Sequence, residues 1–261
     1  MEKLELLHKL NAYLIAEDPK LKAAAGSRPD TVEGQWQLFR ALVNVRPPRP
    51  VGRGFIALQD ELLQQVRAQK GVVELSALSQ YEDGIYLWLG DITRLKVDAI
   101  VNAANGELLG CFVPGHHCID NEIHTYAGVQ LRLECNAIKQ SIRRSAAVGE
   151  AYITRAYNLP SSFVLHTVGP CVGGLLTPQH CTALAQCYRS CLQLMLDHKL
   201  KTIAFCCIST GVFHFPKDKA AAIALHEVRA FRQVHPEITV LFNVFEAQDF
   251  EIYQALLDPG H

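Results

Sequence analysis

Residues 110–121 read GCFVPGHHCIDN: two cysteines seven positions apart enclose two adjacent histidines, and an aspartate follows at once. Thiolate and imidazole are the donors zinc prefers, at about 2.3 and 2.0–2.1 Å. Pro114 and Gly115 mark a turn that lets so short a segment fold back on itself. Cys111, His116 and Cys118 together supply three donors. Three protein donors leave one tetrahedral position open, the pattern of a catalytic rather than a structural Zn2+. His117 competes with His116, because neighbouring residues point apart and one of the two should bind while the other does not. A closed structural site, completed by Cys135 or Cys171, is the other reading. Asp120 also has two readings. Its carboxylate could orient or deprotonate a water beside the metal, or it could cap the helix that opens at DNEIH.

Such a loop needs a frame. From about residue 81 apolar, β-branched or aromatic runs alternate with helical segments. IYLWLG (85–90), AIVNAAN (99–105), AYITRAY (151–157), FVLHTVG (163–169), TIAFCCIST (202–210) and ITVLFNVF (238–245) read as strands. Helices are expected over 121–142, 178–198, 217–233 and 249–257. The alternation predicts an α/β sheet covered on both sides. In such sheets ligands bind beyond the carboxyl ends of the strands. The segments expected there are NAANGELLG, GPCVGG and STGVFHFP. Glycine-containing loops that run toward a helix can aim backbone N–H groups at an anion, so a diphosphate could be held without a lysine clamp. His166, inside VLHTVG, is expected to be a hydrogen-bonded core residue.

Residues 1–72 read differently. Leu4, Leu7, Leu10, Leu14 and Ile15 give the first segment an amphipathic helical face, neither a signal region nor a membrane span. A polar stretch, AAAGSRPD, follows. A second helix, with Trp36, Phe39, Leu42 and Val43 at helical spacing, ends at Pro47, Pro48 and Pro50. A third closes on Gly71. These helices form an extension ahead of a domain spanning 73–261.

The chain has 261 residues, 49% of them hydrophobic, with a formal net charge of −1. That is enough for a large core, and it lacks the basic stripe of a duplex nucleic-acid binder. Neither a nucleic-acid nor a membrane partner is expected. Nine cysteines, without the spacing of a disulfide framework, point to a reducing cytoplasm.

Five segments carry a family likeness: GDIT at 90–93, VDAIVNAANGELLG at 97–110, IDNEIHTYAGVQLRLEC at 119–135, LHTVGP at 165–170 and STGVFHFP at 209–216. In this order they resemble a macrodomain, the module that binds ADP-ribose. GCFVPGHHC stands where a glycine-rich stretch usually precedes the aspartate. It resembles the zinc-dependent macrodomain subgroup, which also carries a helical N-terminal extension. The resemblance implies a three-layer α/β/α domain with a mixed central sheet, Zn2+ binding, and hydrolysis of mono-ADP-ribose from modified acidic side chains of proteins. It also implies a possible partner, a lipoylated carrier protein modified by a sirtuin-type ADP-ribosyltransferase.

By the same resemblance Asp91 would accept from the adenine amine, with the backbone of Ile92 beside it. Asn105 would hold the distal ribose hydroxyls and share the catalytic site with Asp120. Ser209, Thr210, Gly211, Val212 and Phe213 would wrap the diphosphate, Phe215 would cover the sugar, and Phe245 would lie against adenine. His214 departs from the glycine more usual in that loop, which puts the loop's closure in question. Two other functions fit the same residues: an ADP-ribose-binding module whose zinc only braces a loop, and a hydrolase of a free ADP-ribose derivative.

Overall fold

The computed structural model of the protein describes residues 1–18, 20 and 28–258; residues 23–27 of the polar stretch expected after the first helix lie outside that range. Helix α1 (Lys3–Glu17) buries Leu6, Leu7, Leu10 and Leu14 completely, along one face. Helix α2 (Val32–Val45) starts at Thr31, whose side chain accepts from the Gly34 N–H across 3.1 Å. It stops just ahead of the prolines, which cannot continue a helix. Helix α3 (Arg53–Lys70) ends at Gly71, where a φ of 74° suits glycine. Glu17 and the buried Arg46 guanidinium form two bonds, of 2.6 and 2.7 Å, that tie the end of α1 to the end of α2. The three helices share an apolar core that also takes in Val129.

The remainder builds a seven-stranded sheet in the order β2-β3-β9-β8-β5-β7-β6. Its strands are β2 (Gln80–Glu82), β3 (Ile85–Leu89), β5 (Ala99–Ala104), β6 (Ala151–Arg155), β7 (Phe163–Val168), β8 (Thr202–Phe205) and β9 (Thr239–Val244). The five inner strands run parallel, and β2 and β6 pair antiparallel at the two edges. The sheet is therefore mixed, as the family likeness implies, and the N-terminal helices stand ahead of it. A separate two-stranded ladder joins β1 (Val73–Glu74) to β4 (Leu95–Lys96).

All six expected strands form, each shortened by one to five residues at its ends. Strand β2 has no apolar alternation, which is why the sequence pattern does not reveal it. Both faces of the sheet are covered. On β7, His166 approaches Cys135 on one face, while the next residue, Thr167, meets Cys187 on the other. Helices α4 (Ile119–Ala127) and α5 (Val129–Ile142) cover the first face, and α6 (Pro178–Asp197) the second. Helices α7 (Lys217–Val234) and α8 (Ala247–Leu257) complete the layers.

The single helix expected over 121–142 is two, broken at Gly128, whose φ is 98°. A side chain there would meet the Gln59 amide at 2.5 Å, and the Gln59 oxygen accepts from the Val129 N–H across 3.0 Å. Gln59, a residue of the N-terminal helices, thus packs against the break and caps the start of the second helix. Among the described residues no helix is long and apolar enough to cross a membrane, and all nine cysteines are free.

Candidate functional site

A cleft of about 1000 Å³ opens at the carboxyl edge of the sheet. Its walls come from the segments after β5, β7, β8 and β9, where the parallel strands end.

One wall is the segment between β8 and α7. Ser209 and His214 take left-handed backbone angles there, φ 68° and 55°, a conformation that favours glycine. The loop closes nonetheless, through Phe215 N–H to Ser209 O (3.0 Å), His214 N–H to Gly211 O (3.0 Å) and Val172 N–H to Phe213 O (2.8 Å). Gly169 is required beside it, since a side chain there would reach the Ser209 hydroxyl at 2.0 Å. Ser209, Thr210, Gly211, Val212 and Phe213 all line the cleft. The amides of Gly211, Val212 and Phe213 donate to no described residue, so the loop ahead of α7 carries a run of unused backbone donors where it lines the cleft. Phe215 does not line the cleft. Closing the loop carries its ring into the sheet core, where it is 2% exposed, so the expected cover over a sugar is missing.

At the far end Phe245 lines the cleft and is 78% exposed, beside Asn243 and Glu246. Asp91 and Ile92 follow the neighbouring strand β3 but are not among the lining residues. Ile92 is packed in the core. The Asp91 carboxylate is engaged by Lys70 Nζ at 2.5 Å and by the Thr93 amide at 2.9 Å. Burial works to raise its pKa, but these two partners hold it below the usual carboxylate range.

At the near end the segment 111–118 folds over a turn in which Gly115 has φ 66° and His116 N–H donates to Val113 O. The two thiols of Cys111 and Cys118 and a ring nitrogen of His116 lie within 4.8 Å of one another. Cys111 Sγ is 3.5 Å from His116 Nδ1 and accepts from the Val113 N–H at 3.5 Å. His117 points away: its Nδ1 is 2.8 Å from Glu122 and its ring is mostly exposed. Cys171 and Cys135 do not join the trio. The donor set of two thiols and one imidazole suits a zinc-type ion with one position left over. Burial, with the charge of Cys111 and Asp120, pushes the Cys118 thiol up to about 12. Two thiols so placed cannot readily ionise together unless a cation sits between them, which is the condition a bound dication meets.

Asp120 lies next to this trio and lines the cleft. It is the second residue of α4, whose N-cap is Cys118, so its carboxylate does not cap the helix. Instead it accepts from the Asn102 amide at 2.8 Å and from the Asn105 amide at 3.4 Å, with His124 Nε2 at 3.5 Å. Burial, against the pull of Asn102 and Arg132, pushes its carboxyl up to about 6. The Asn102 amide also meets His166 Nδ1 at 3.1 Å, and His166 Nε2 meets Thr154 Oγ1 at 2.9 Å. An amide donor on Nδ1 assigns the ring proton to Nε2, and burial lowers the imidazole to about 3, so His166 is neutral. It is the hydrogen-bonded core residue expected from VLHTVG. Sequence reasoning missed Asn102, which supports Asp120, and Asn243, which lines the far end. Asn102 carried a signal, because an asparagine inside an apolar strand needs a partner.

The family model described as "Macro domain" matches residues 101–224. A relative from Treponema medium called "Protein-ADP-ribose hydrolase" is 46% identical over 250 residues, covering 94% of this chain and 95% of its own. Among solved structures, a Trypanosoma brucei macrodomain in complex with ADP-ribose is similar with a TM-score of 0.66 and 31% identity, over 84% of this chain and 94% of that one. An Oceanobacillus iheyensis macrodomain mutant with ADPR is similar with a TM-score of 0.63 and 37% identity, over 70% and 96%.

Proposed function

This chain belongs to the macrodomain family, and from that premise we propose that it is a zinc-dependent hydrolase that removes mono-ADP-ribose from acidic side chains of modified proteins. A relative's name supports hydrolysis of protein-linked ADP-ribose, and two similar structures hold that nucleotide. One observation of this chain carries the reading. A buried carboxylate and a thiol–imidazole trio meet at one end of a single cleft whose middle wall offers three unpartnered amides.

The nucleotide would lie along the cleft with adenine against Phe245 and the diphosphate on the amides of Gly211, Val212 and Phe213. Asp91 and Ile92 remain the proposed partners of the adenine edge, reached from the neighbouring strand end. The distal ribose would then sit beside Asn105 and Asp120. Water is added across the ester that joins this ribose to a side-chain carboxyl, giving free ADP-ribose and the restored acid. Asp120 orients that water and takes its proton; a carboxyl near 6 is mostly ionised at neutral pH yet basic enough to serve. Asn102 and Asn105 fix the carboxylate by donating one hydrogen bond to each oxygen. Cys111, His116 and Cys118 would hold Zn2+, which when bound supplies a Lewis acid for the sugar or acyl oxygen. The source of the mark suggested by the sequence likeness is a sirtuin-type transferase acting on a lipoylated carrier protein.

The test is direct. Purified protein is incubated with a target ADP-ribosylated on aspartate or glutamate, with and without a chelator, and released ADP-ribose is measured. Release that stops on chelation and returns with Zn2+ is the expected result. A persistent mark on a fully metal-loaded protein sinks the hydrolase reading and leaves nucleotide recognition alone.

A further inference from the structure

The 111–118 segment makes little structure of its own. Within it are one backbone bond, His116 N–H to Val113 O, the Val113 N–H contact to the Cys111 sulfur and the contact of that sulfur with His116 Nδ1. Its shape is fixed from outside, largely by helix α2 of the N-terminal extension. Arg40 Nη2 donates to the His116 carbonyl at 3.3 Å and to Glu122 at 2.6 Å, and Nη1 lies 3.3 Å from His117 Nδ1. One guanidinium thus holds the backbone of the metal-facing histidine and pulls the other histidine aside. One turn later on α2, the Asn44 oxygen accepts from the Gly115 N–H at 3.0 Å, and its amide donates to Thr125 of α4 at 3.1 Å. Asn121 of α4 completes the frame by donating to Val113 O at 3.2 Å. Arg40 and Asn44 are 3% and 1% exposed, so their hydrogen bonds compete little with water.

We propose that Arg40 and Asn44 are positioning residues for the metal: the N-terminal extension pre-shapes the 111–118 loop so that its three donors converge before an ion arrives. The inference deepens the proposed function and rests on its claim that Cys111, His116 and Cys118 hold a metal. It gives the extension a task. A flexible loop must be ordered at the moment of binding, and that ordering subtracts from affinity. Here a helix more than 60 residues away in sequence has already done it. Hydrogen-bond partners one shell out from a metal are worth about 10–100-fold in metal affinity, which sets the expected scale.

Asn44→Ala and Arg40→Gln are made in the full chain. Zn2+ affinity is read by competition with a chromophoric chelator, and ADP-ribose affinity by calorimetry on the metal-free protein. Zn2+ affinity is expected to fall about 10–100-fold in each variant, while metal-free ADP-ribose affinity stays within about twofold. Folded variants that bind Zn2+ as the parent does overturn the proposal. So do variants that lose nucleotide and metal affinity together, which would make the contacts general supports of the fold. If neither variant folds, amide exchange in the metal-free parent decides. The Gly115 amide is expected to be protected, and exchange as fast as in an exposed loop overturns the claim of pre-shaping. A parent chain that takes up no Zn2+ at all, yet protects Gly115, sinks the metal reading instead.

Discussion

The side-chain amide of Asn102 donates to the carboxylate of Asp120 across 2.8 Å, and neither residue is more than 5% exposed. The partner that steers Asp120 is thus set in the inner strand β5, three positions before Asn105, where the loop begins. A carboxylate on a helix is thereby referenced to the sheet, and its angle toward the cleft is set by a buried strand residue.

Asp120→Ala is expected to lower turnover of an ADP-ribosylated protein about 100–10,000-fold, the range that a positioned acid–base group contributes. ADP-ribose affinity should change far less. Single-turnover release of ADP-ribose, set beside calorimetric binding, separates the two.

Cys118→Ala removes one donor of the trio without touching the amide wall. Loss of a transition-state contact to a metal corresponds to about a thousandfold in rate or more. Turnover should fall by that factor, and Zn2+ content, measured by elemental analysis, should fall with it. Retained ADP-ribose binding shows that the loss is one of chemistry.

Phe245→Ala acts at the opposite end. An aromatic face against a base is worth about 1–3 kcal/mol, so ADP-ribose affinity should drop about tenfold. The rate at saturating substrate should stay near the parent value. Titration calorimetry and a saturation curve on one preparation check both halves.

Acid should weaken the fold partly through His166. Its pKa is depressed from 6.5 to about 3 by burial. The folded state therefore holds a neutral ring that the unfolded chain protonates. This stabilising contribution is complete above about pH 6.5 and is lost as pH falls toward 3. His124, also buried and held well below its usual value, acts in the same direction. Asp120 opposes them, because its raised pKa means that burying the charged carboxylate is costly, and the cost is relieved below about 6. His166→Gln should flatten the fall of the thermal midpoint between pH 6.5 and 4, measured by calorimetric scans in matched ionic strength.

Six of the strands, the site at their carboxyl ends and a cluster of two cysteines with a histidine between them can be read from residue type and period, whereas β2, with no apolar alternation, cannot. What cannot be read is whatever a distant segment imposes. Arg40 and Glu122 turn His117 aside from His116, and Gln59, about 70 residues away, packs against the break at Gly128. Phe215 looks like a ligand cover in STGVFHFP but turns inward, its amide tied to the Ser209 carbonyl and its ring packed in the sheet core. The N-cap reading of Asp120 fails by two positions, a shift that helix propensity alone does not settle.

Arg132 gathers carbonyl oxygens from Val43 and Arg46 at the end of α2 and from Leu109, just ahead of the 111–118 segment. A fragment trimmed to begin near Val73 would deprive that guanidinium of two of its three acceptors and strip the cover from Val129. The two apolar cores are therefore stitched by a cation, and the chain should melt in one step rather than shed its leading helices first.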